Sequence, residues 1–542
     1  MGAAVVLAAS IFTRKLVADD DHFEHFQFVP DTLVVSRSVY AGTTASVTIG
    51  QTLPPGCVAG DITLPTLAGG TTTVNIPANS SSGCNAAVAD GTYPTVFNND
   101  GADGSFGITS PIFLDNITTD GWRLGTLPIP SDAIVTSFSS KSELALNLST
   151  DGRSITFAGY RGGPGFLTGP NQLDVSNSNT PGVVDPSNPV SSQYYRSVAE
   201  VDARGHLMIT EGNAYSGNNG RAAIKANSLY YMSGNDNNGG LSTSQLTGTQ
   251  VGVNLVNSTG VELLVPGQAP PIPPNINMIG DFAVTQVGYT KADKPGKDNN
   301  FRGLTIHDNT LYVTKGSGGN GINTVYQVGA AGTLPTGTTA QLEATPIMIL
   351  PGFPTTLASG TALDGSKNNP VAFPFGLWFA DDSTLYVCDE GDGTLVTPAV
   401  NGNVASTAAQ ATAGVQKWKL IDGVWKMLYV LQSGLNIGVP YSVPKYPTAL
   451  NPATDGCRNI TGRHNWDGTV TIFAVTSTVS ASGDQGADPN KLVRVTDRLS
   501  GSTLPTDGWL GHFETIRAAG FGEVLRGVAF APSDRDEHHG RF

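Results

Sequence analysis

Lys141, Arg221, Arg302, Arg458 and Arg526 each open a short string of one pattern, and Phe375 opens a sixth. The pattern runs through a small or apolar pair and a few alternating residues to a tight polar turn, then into an apolar strand, as in RGLTIHDNTLYVTKG from Arg302. Successive openings lie 68 to 83 residues apart. Where a repeat brings equivalent positions together, five cationic groups meet at one place. Guanidinium forks match the paired oxygens of carboxylate, phosphate or sulfate, so this spacing points to recognition of a small anion. A second role is open to the same residues: pins that bond backbone carbonyls and carboxylates of neighbouring repeats.

A cationic ring needs local anions to offset its repulsion. Asp298, Asp389, Glu390 and Glu523 stand close in sequence to the cationic openings and would serve. Asp389, Glu390 and Glu523 are also the candidates for metal ligand or general base. Calcium is the cofactor these loops suggest. Asp389-Glu390-Gly391-Asp392-Gly393, Asn235-Asp236-Asn237-Asn238 and Asp484-Gln485-Gly486-Ala487-Asp488 set hard oxygen ligands on loops, without EF-hand spacing. His206, His307 and His464 fall at an outer strand or near tight turns, and the other histidines lie in terminal or outer segments, which leaves no histidine base at the ring. The chain has no G-x-S-x-G elbow, H-E-x-x-H or Walker loop, so no motif names a reaction.

The elements that must position these residues are short strands joined by turns. A recurring unit of this size predicts an all-β fold, a six-bladed β-propeller with four antiparallel strands, A to D, in each blade. The sixth unit opens at Arg526 with room for strand A alone. Residues 32–36 match a B strand, and residues 111–116 with 122–129 a C–D hairpin, so the N-terminal part would complete the last blade and remove an exposed edge. Surplus strands near residues 282–289 would make seven blades the alternative. Residues 51–110 become an insertion between B and C of the closing blade. The A–B turns are minimal and the B–C connections long and rich in Gly, Asn and Asp, which marks the B–C face as the functional one.

Composition agrees with strands and turns: of 542 residues, 66 are Gly, 34 are Pro and only 14% are charged. A net charge of −14 argues against a general nucleic-acid binder. Cysteine placement pairs Cys57 with Cys84 and sets Cys388 beside Cys457 in neighbouring repeats, as in an extracellular protein. Residues 1–30 read as the remnant of an export signal or a disordered leader, residues 31–532 as one propeller and 533–542 as a disordered tail. The apolar run from Ala3 to Phe12 is too short to span a bilayer. The expected location is therefore secreted, periplasmic or extracellular.

The strings 137–160, 175–189, 302–323 and 476–490 resemble a family of exported bacterial and fungal proteins that carries no assigned activity, and the likeness extends over most of the chain. More broadly, the blade pattern resembles six-bladed propellers of the gluconolactonase, arylesterase, strictosidine-synthase and phytase type. In those, carboxylates and asparagines at the funnel bind metal. The resemblance thus implies Asp298, Asn299, Asp389, Glu390 and Asn459 at the site, with Asp298, Asp389 and Glu390 as metal ligands.

Together these readings predict an exported propeller that binds a small anionic or polyhydroxylated ligand at its funnel. Lys141, Arg221, Arg302, Arg458 and Arg526 would hold the ligand beside Asn299 and Asn459. Calcium-assisted hydrolysis of an ester, lactone or phosphoester is the catalytic form of that prediction. A non-catalytic module that binds an extracellular polymer or other copies of itself is the alternative. A quinone-dependent dehydrogenase is disfavoured by the lack of a funnel histidine.

Overall fold

In the computed structural model, runs of alternating and continuous apolar residues pair into six sheets around one axis. The structure describes residues 26–41, 47–66, 69–78, 83–94, 108–138, 140–162, 173, 175–190, 192–235, 260–270, 277–291, 298–367, 369, 371–396, 406–407, 410–480 and 486–534. Blade 3 shows the pattern plainly: Leu304–His307, Thr310–Lys315, Thr324–Val328 and Ile347–Ile349 pair in chain order. Blade 4 follows with Pro374–Asp381, Thr384–Asp389, Gly414–Ile421 and Val424–Leu431. Blade 5 is built from Ala453–His464, Thr469–Val479, Lys491–Arg498 and Glu514–Ala518.

Blade 6 closes the ring as anticipated. Strand A is Glu523–Phe530, and strands B, C and D come from Leu33–Val39, Ile112–Ile117 and Arg123–Ile129. Leu33 lies opposite Phe530 and Val39 opposite Glu523, with one bulge between Ser36 and Arg37. Joining distant parts of the chain in this way leaves no unpaired inner edge.

Blade 2 pairs Gly220–Ala226, Leu229–Gly234 and Val261–Leu264, and the fourth position is taken by the single bridge from Glu262 to Met278. The surplus strands considered near residues 282–289 are not strands: Val284–Val287 is a turn of 3-10 helix. The seven-bladed alternative falls with them.

Blade 1 departs from the expected outline in one respect that matters for the hub. Its B, C and D strands are Ser154–Arg161, Arg196–Asp202 and Leu207–Gly212, but strand A is split. Ile134–Ser137 pairs with the far end of strand B and Asn147–Leu148 with its near end. The residues between them leave the sheet and cross the hub. Lys141 therefore sits on this excursion and not at a strand start equivalent to those of the arginines. Gly527 makes the crossing possible, since a Cβ there would stand 2.4 Å from Leu146 N and 2.5 Å from Leu144 O.

The apolar core is a ring of inter-blade seams. Each pair of neighbouring blades shares its own cluster, for example Val325, Leu350, Leu377 and Leu385 between blades 3 and 4, or Leu33, Val35, Phe473 and Val475 between blades 5 and 6. Inner strands are covered on both faces, which is why they read as continuous apolar runs.

The A–B turns are as short as the sequence implies. Asn227-Ser228 and Asp308-Asn309 take left-handed φ values of 48°, 63°, 42° and 52°, as two-residue hairpin turns require. On the opposite face, the insertion forms two small ladders, Thr52–Leu53 with Asn85–Ala86 and Gly60–Pro65 with Thr71–Ile76. Its Leu53, Ala87 and Tyr93 pack with Phe138, Val443, Tyr446 and Ala487 from connections of blades 1, 4 and 5. The insertion thus covers part of the B–C face. Both predicted disulfides, Cys57–Cys84 and Cys388–Cys457, are present. No helix among the described residues is long and apolar enough to cross a membrane.

Candidate functional site

The hub is organised around Glu390, which leaves the end of strand B in blade 4. One of its oxygens, Oε1, lies 2.9 Å from Lys141 Nζ on the blade 1 excursion, and Oε2 lies 3.0 Å from Arg458 Nε in blade 5. Glu390 is only 4% exposed, so a single carboxylate ties three blades in a region of low dielectric. The disulfide Cys388–Cys457 is next to this junction on both strands.

The excursion supplies most of the remaining contacts. The Arg526 guanidinium donates to Ser38 Oγ at 3.2 Å and to the carbonyls of Phe138 and Ser140. Arg302 Nη1 donates to Ser142 Oγ at 3.0 Å, with its guanidinium carbon 5.6 Å from the centre of the Phe375 ring. Glu143 Oε2 accepts from Thr136 Oγ1 at 2.7 Å and from Ser137 N at 3.1 Å. Its Oε1 accepts from Asn219 Nδ2 at 2.8 Å and from the Tyr160 hydroxyl. Burial pulls the Arg221 guanidinium down to about 10, against the opposing fields of Tyr160, Glu143 and Glu390.

The cationic residues thus do come together around one carboxylate and one crossing segment, but they are not alike. Arg458 and Arg526 are engaged between blades, as the pin role anticipates. Arg221 and Arg302 are buried, and Arg221 Nε, Arg221 Nη1 and Arg302 Nε have no acceptor among the described residues.

The other sequence-derived candidates occupy varied positions. Asp389 is fully buried, with Oδ2 accepting from Phe373 N at 2.8 Å and Gln416 Nε2 at 3.0 Å, and Oδ1 from Gly391 N at 2.9 Å. Burial pushes its carboxyl up to about 7 despite the donating amides of Phe373 and Gly391, and nearby Glu390 and Asp455 add to the rise. Glu523 accepts from Arg37 Nη1 at 2.8 Å and from Gly520 N at 3.1 Å. Arg37 in turn bonds Asp115, so Glu523 belongs to a network within blade 6. Asn299 accepts from Phe282 N at 3.2 Å and donates to Asp281 at 2.7 Å, while Asn459 accepts from Val528 N at 2.6 Å. Asp298 accepts from Val284 N at 3.2 Å.

Among the described residues, no group of three or more His, Cys, Asp or Glu is placed to hold a metal ion. The oxygens of Asp389 and Glu390 are taken by N–H and ammonium donors. Asp236, Asn237, Asn238, Asp484 and Gln485 lie outside the described residues. His307 pairs with Asp382, His206 with Asp202, and His464 with the Ala380 carbonyl, all on the turn side away from the hub.

Repeat alignment missed Ser142, Glu143, Tyr160 and Asn219. The one available signal was Glu143 two residues after Lys141, a carboxylate where a regular inner strand would place an apolar or small residue.

No protein-family model and no curated protein matches the chain. Among solved structures, it is similar to the hemagglutinin-neuraminidase ectodomain of parainfluenza virus 5, at 9% identity over 71% of this chain and 75% of that one, with a TM-score of 0.32. It is also similar to the cobalt-substituted apocarotenoid oxygenase of Synechocystis, at 8% identity over 88% of this chain and 66% of that one, with a TM-score of 0.23. The six-bladed β-propeller stands on the chain's own strand order.

Proposed function

We propose that the hub binds a small anion, with Arg221 and Arg302 as its principal donors and Lys141 and Ser142 beside them. The observation that carries this reading is the set of buried N–H groups without acceptors among the described residues: Arg221 Nε, Arg221 Nη1 and Arg302 Nε. Each such donor costs about 1–3 kcal/mol when left unsatisfied. Arg196, equally buried, gives the contrast, because its guanidinium is met by the carbonyls of Asn218, Tyr194, Ser176 and Ser178. A carboxylate, phosphate or sulfate supplies the acceptors that Arg221 and Arg302 lack. It also adds negative charge to a hub in which Lys141 and Arg458 pair with Glu390 and Arg221 lies in the field of Glu143 and Glu390, while Arg302 and Arg526 are met by hydroxyls and carbonyls. Sugar acids and phosphate esters join such a group to hydroxyls.

Hydrolysis of an ester, lactone or phosphoester at the same place would need a base. Asp389, pushed to about 7, has the matching affinity for a proton, but donors already occupy both its oxygens. The geometry favours binding over catalysis. Two disulfides support an oxidising compartment as the setting.

The test is calorimetric titration of the protein with phosphate, sulfate, acetate and gluconate at fixed ionic strength. Saturable binding of at least one, weakened tenfold or more in Arg221→Gln and in Arg302→Gln, is the expected result. Heats of dilution alone for all four on the unaltered protein would overturn the reading without any variant.

A further inference from the structure

On the face opposite the hub mouth, three tryptophans are exposed. In an antiparallel four-stranded blade the A–B and C–D turns share one end, so the tips carrying Trp466, Trp509 and Trp122 all lie on that face. Trp466 is in the A–B turn of blade 5 and is 99% exposed, Trp509 is in the C–D connection of the same blade and is 60% exposed, and Trp122 is in the C–D turn of blade 6 and is 77% exposed.

Three contacts bring these turns together and hold them. Gly468 O in the A–B turn accepts from Leu499 N at the start of the C–D connection, at 3.2 Å. Arg494 of blade 5 donates to Thr119 O at 3.3 Å and to the Asp120 carboxylate in the turn that carries Trp122. Gly121 lies so close to blade 5 that a Cβ would stand 2.0 Å from Ile516 O. The Trp466 turn is fastened without its ring. Asp467 Oδ1 accepts from Thr469 N at 3.0 Å, and Asn465 Nδ2 donates to Thr469 and Thr471, each at 2.9 Å. A single exposed ring is ordinary on a protein surface, but three tryptophans on the turns of one face offer apolar area that a partner could cover.

The surroundings select what covers it. Arg494 and Arg498 are bonded to carboxylates, at 2.7 Å for Arg494 with Glu514 and 3.4 Å for Arg498 with Asp507. Asp120 and Asp467 add further negative charge, and the whole chain carries −14. A nucleic acid or other polyanion is repelled by such a surface. Aromatic rings carried on hydrogen-bonded turns, among carboxylate and amide oxygens that accept from hydroxyls, suit a partner with apolar ring faces and hydroxyl edges. We propose that Trp466, Trp509 and Trp122 form a binding platform for a neutral polysaccharide, separate from the anion site at the hub.

The experiment uses the full chain in native affinity electrophoresis through mixed-linkage β-glucan, mannan and soluble starch, and in pull-downs on cellulose and chitin. Retention on at least one of the five is expected. It should weaken roughly tenfold in Trp466→Ala, with an unchanged melting temperature because that side chain is 99% exposed, and vanish in the triple alanine variant, whose fold is checked by circular dichroism. Retention on none of them, or retention unaltered in the triple variant, overturns the proposal. So does concentration-dependent self-association that the triple variant abolishes while no polysaccharide is retained, which would make the surface an interface between copies.

Discussion

Glu390 Oε2 holds Arg458 Nε at 3.0 Å across the seam between blades 4 and 5, and the chain is covalently joined beside both partners. Cys388 lies two residues before Glu390, and Cys457 directly precedes Arg458. The disulfide ties the end of Thr384–Asp389 to the middle of Ala453–His464, the two places from which the hub ion pair is made, so the geometry of the pair does not depend on charge attraction alone.

Removing that covalent link should cost stability through the unfolded chain. The closed loop spans 69 residues, for which loop-closure entropy gives about 4 kcal/mol. Guanidinium denaturation of the Cys388→Ser, Cys457→Ser double variant should show a loss of this order, and a loss below about 1 kcal/mol would contradict it.

Neutralising Glu390 should remove its ion pairs with Lys141 and Arg458. In Glu390→Gln the buried Arg458 loses its charged partner and Lys141 loses its own, which costs about 3–5 kcal/mol by the usual penalty for breaking a buried pair. Anion affinity should rise in the same variant, because less negative charge opposes the ligand. Titration of the variant with phosphate, compared with the unaltered protein, reads this directly.

Asp389 should impose a pH dependence on stability. Its folded carboxyl is raised from the unfolded value of 3.8 to about 7, so the folded state keeps a proton that the unfolded state gives up. The contribution is full below about pH 4, is lost as pH rises towards 7, and is flat beyond. Denaturation midpoints measured from pH 4 to 8 should fall over this window, and Asp389→Asn should flatten the fall. An unchanged slope in the variant would assign the dependence to other groups.

A second buried pair, Lys417 with Asp497, lies in the same seam with neither side chain exposed, at 3.0 Å. Tyr386 and Tyr429 donate to the Asp497 oxygens at 2.6 and 2.9 Å. Lys417→Met should destabilise by about 3–5 kcal/mol, because Asp497 is left as a buried carboxylate without its cation. Adding Asp497→Leu should recover part of that loss. Equal losses in the single and double variants would show that the carboxylate is not stranded.

Much of this molecule was legible without coordinates. Strings of similar pattern at 68- to 83-residue intervals, with matching strands at residues 32–36 and 111–129, pointed to six blades and to the pairing that closes them, with seven blades left as the alternative. The cysteine pairs were legible for two different reasons: Cys57 and Cys84 share one loop-rich segment, and Cys388 and Cys457 stand in neighbouring repeats. These features follow from local pattern, because period-two alternation and turn chemistry act within a few residues. What only the tertiary structure decided is the division of labour at the hub. Lys141 shares the repeat pattern of the arginines, yet its segment leaves strand A, since Gly527 of another blade has space for a crossing chain. Glu390 serves Lys141 and Arg458 while Arg221 and Arg302 have donors without acceptors among the described residues, because burial, distance and competition among side chains from five blades set each partnership. Those are properties of contacts between residues far apart in the chain, and no string of neighbours encodes them alone.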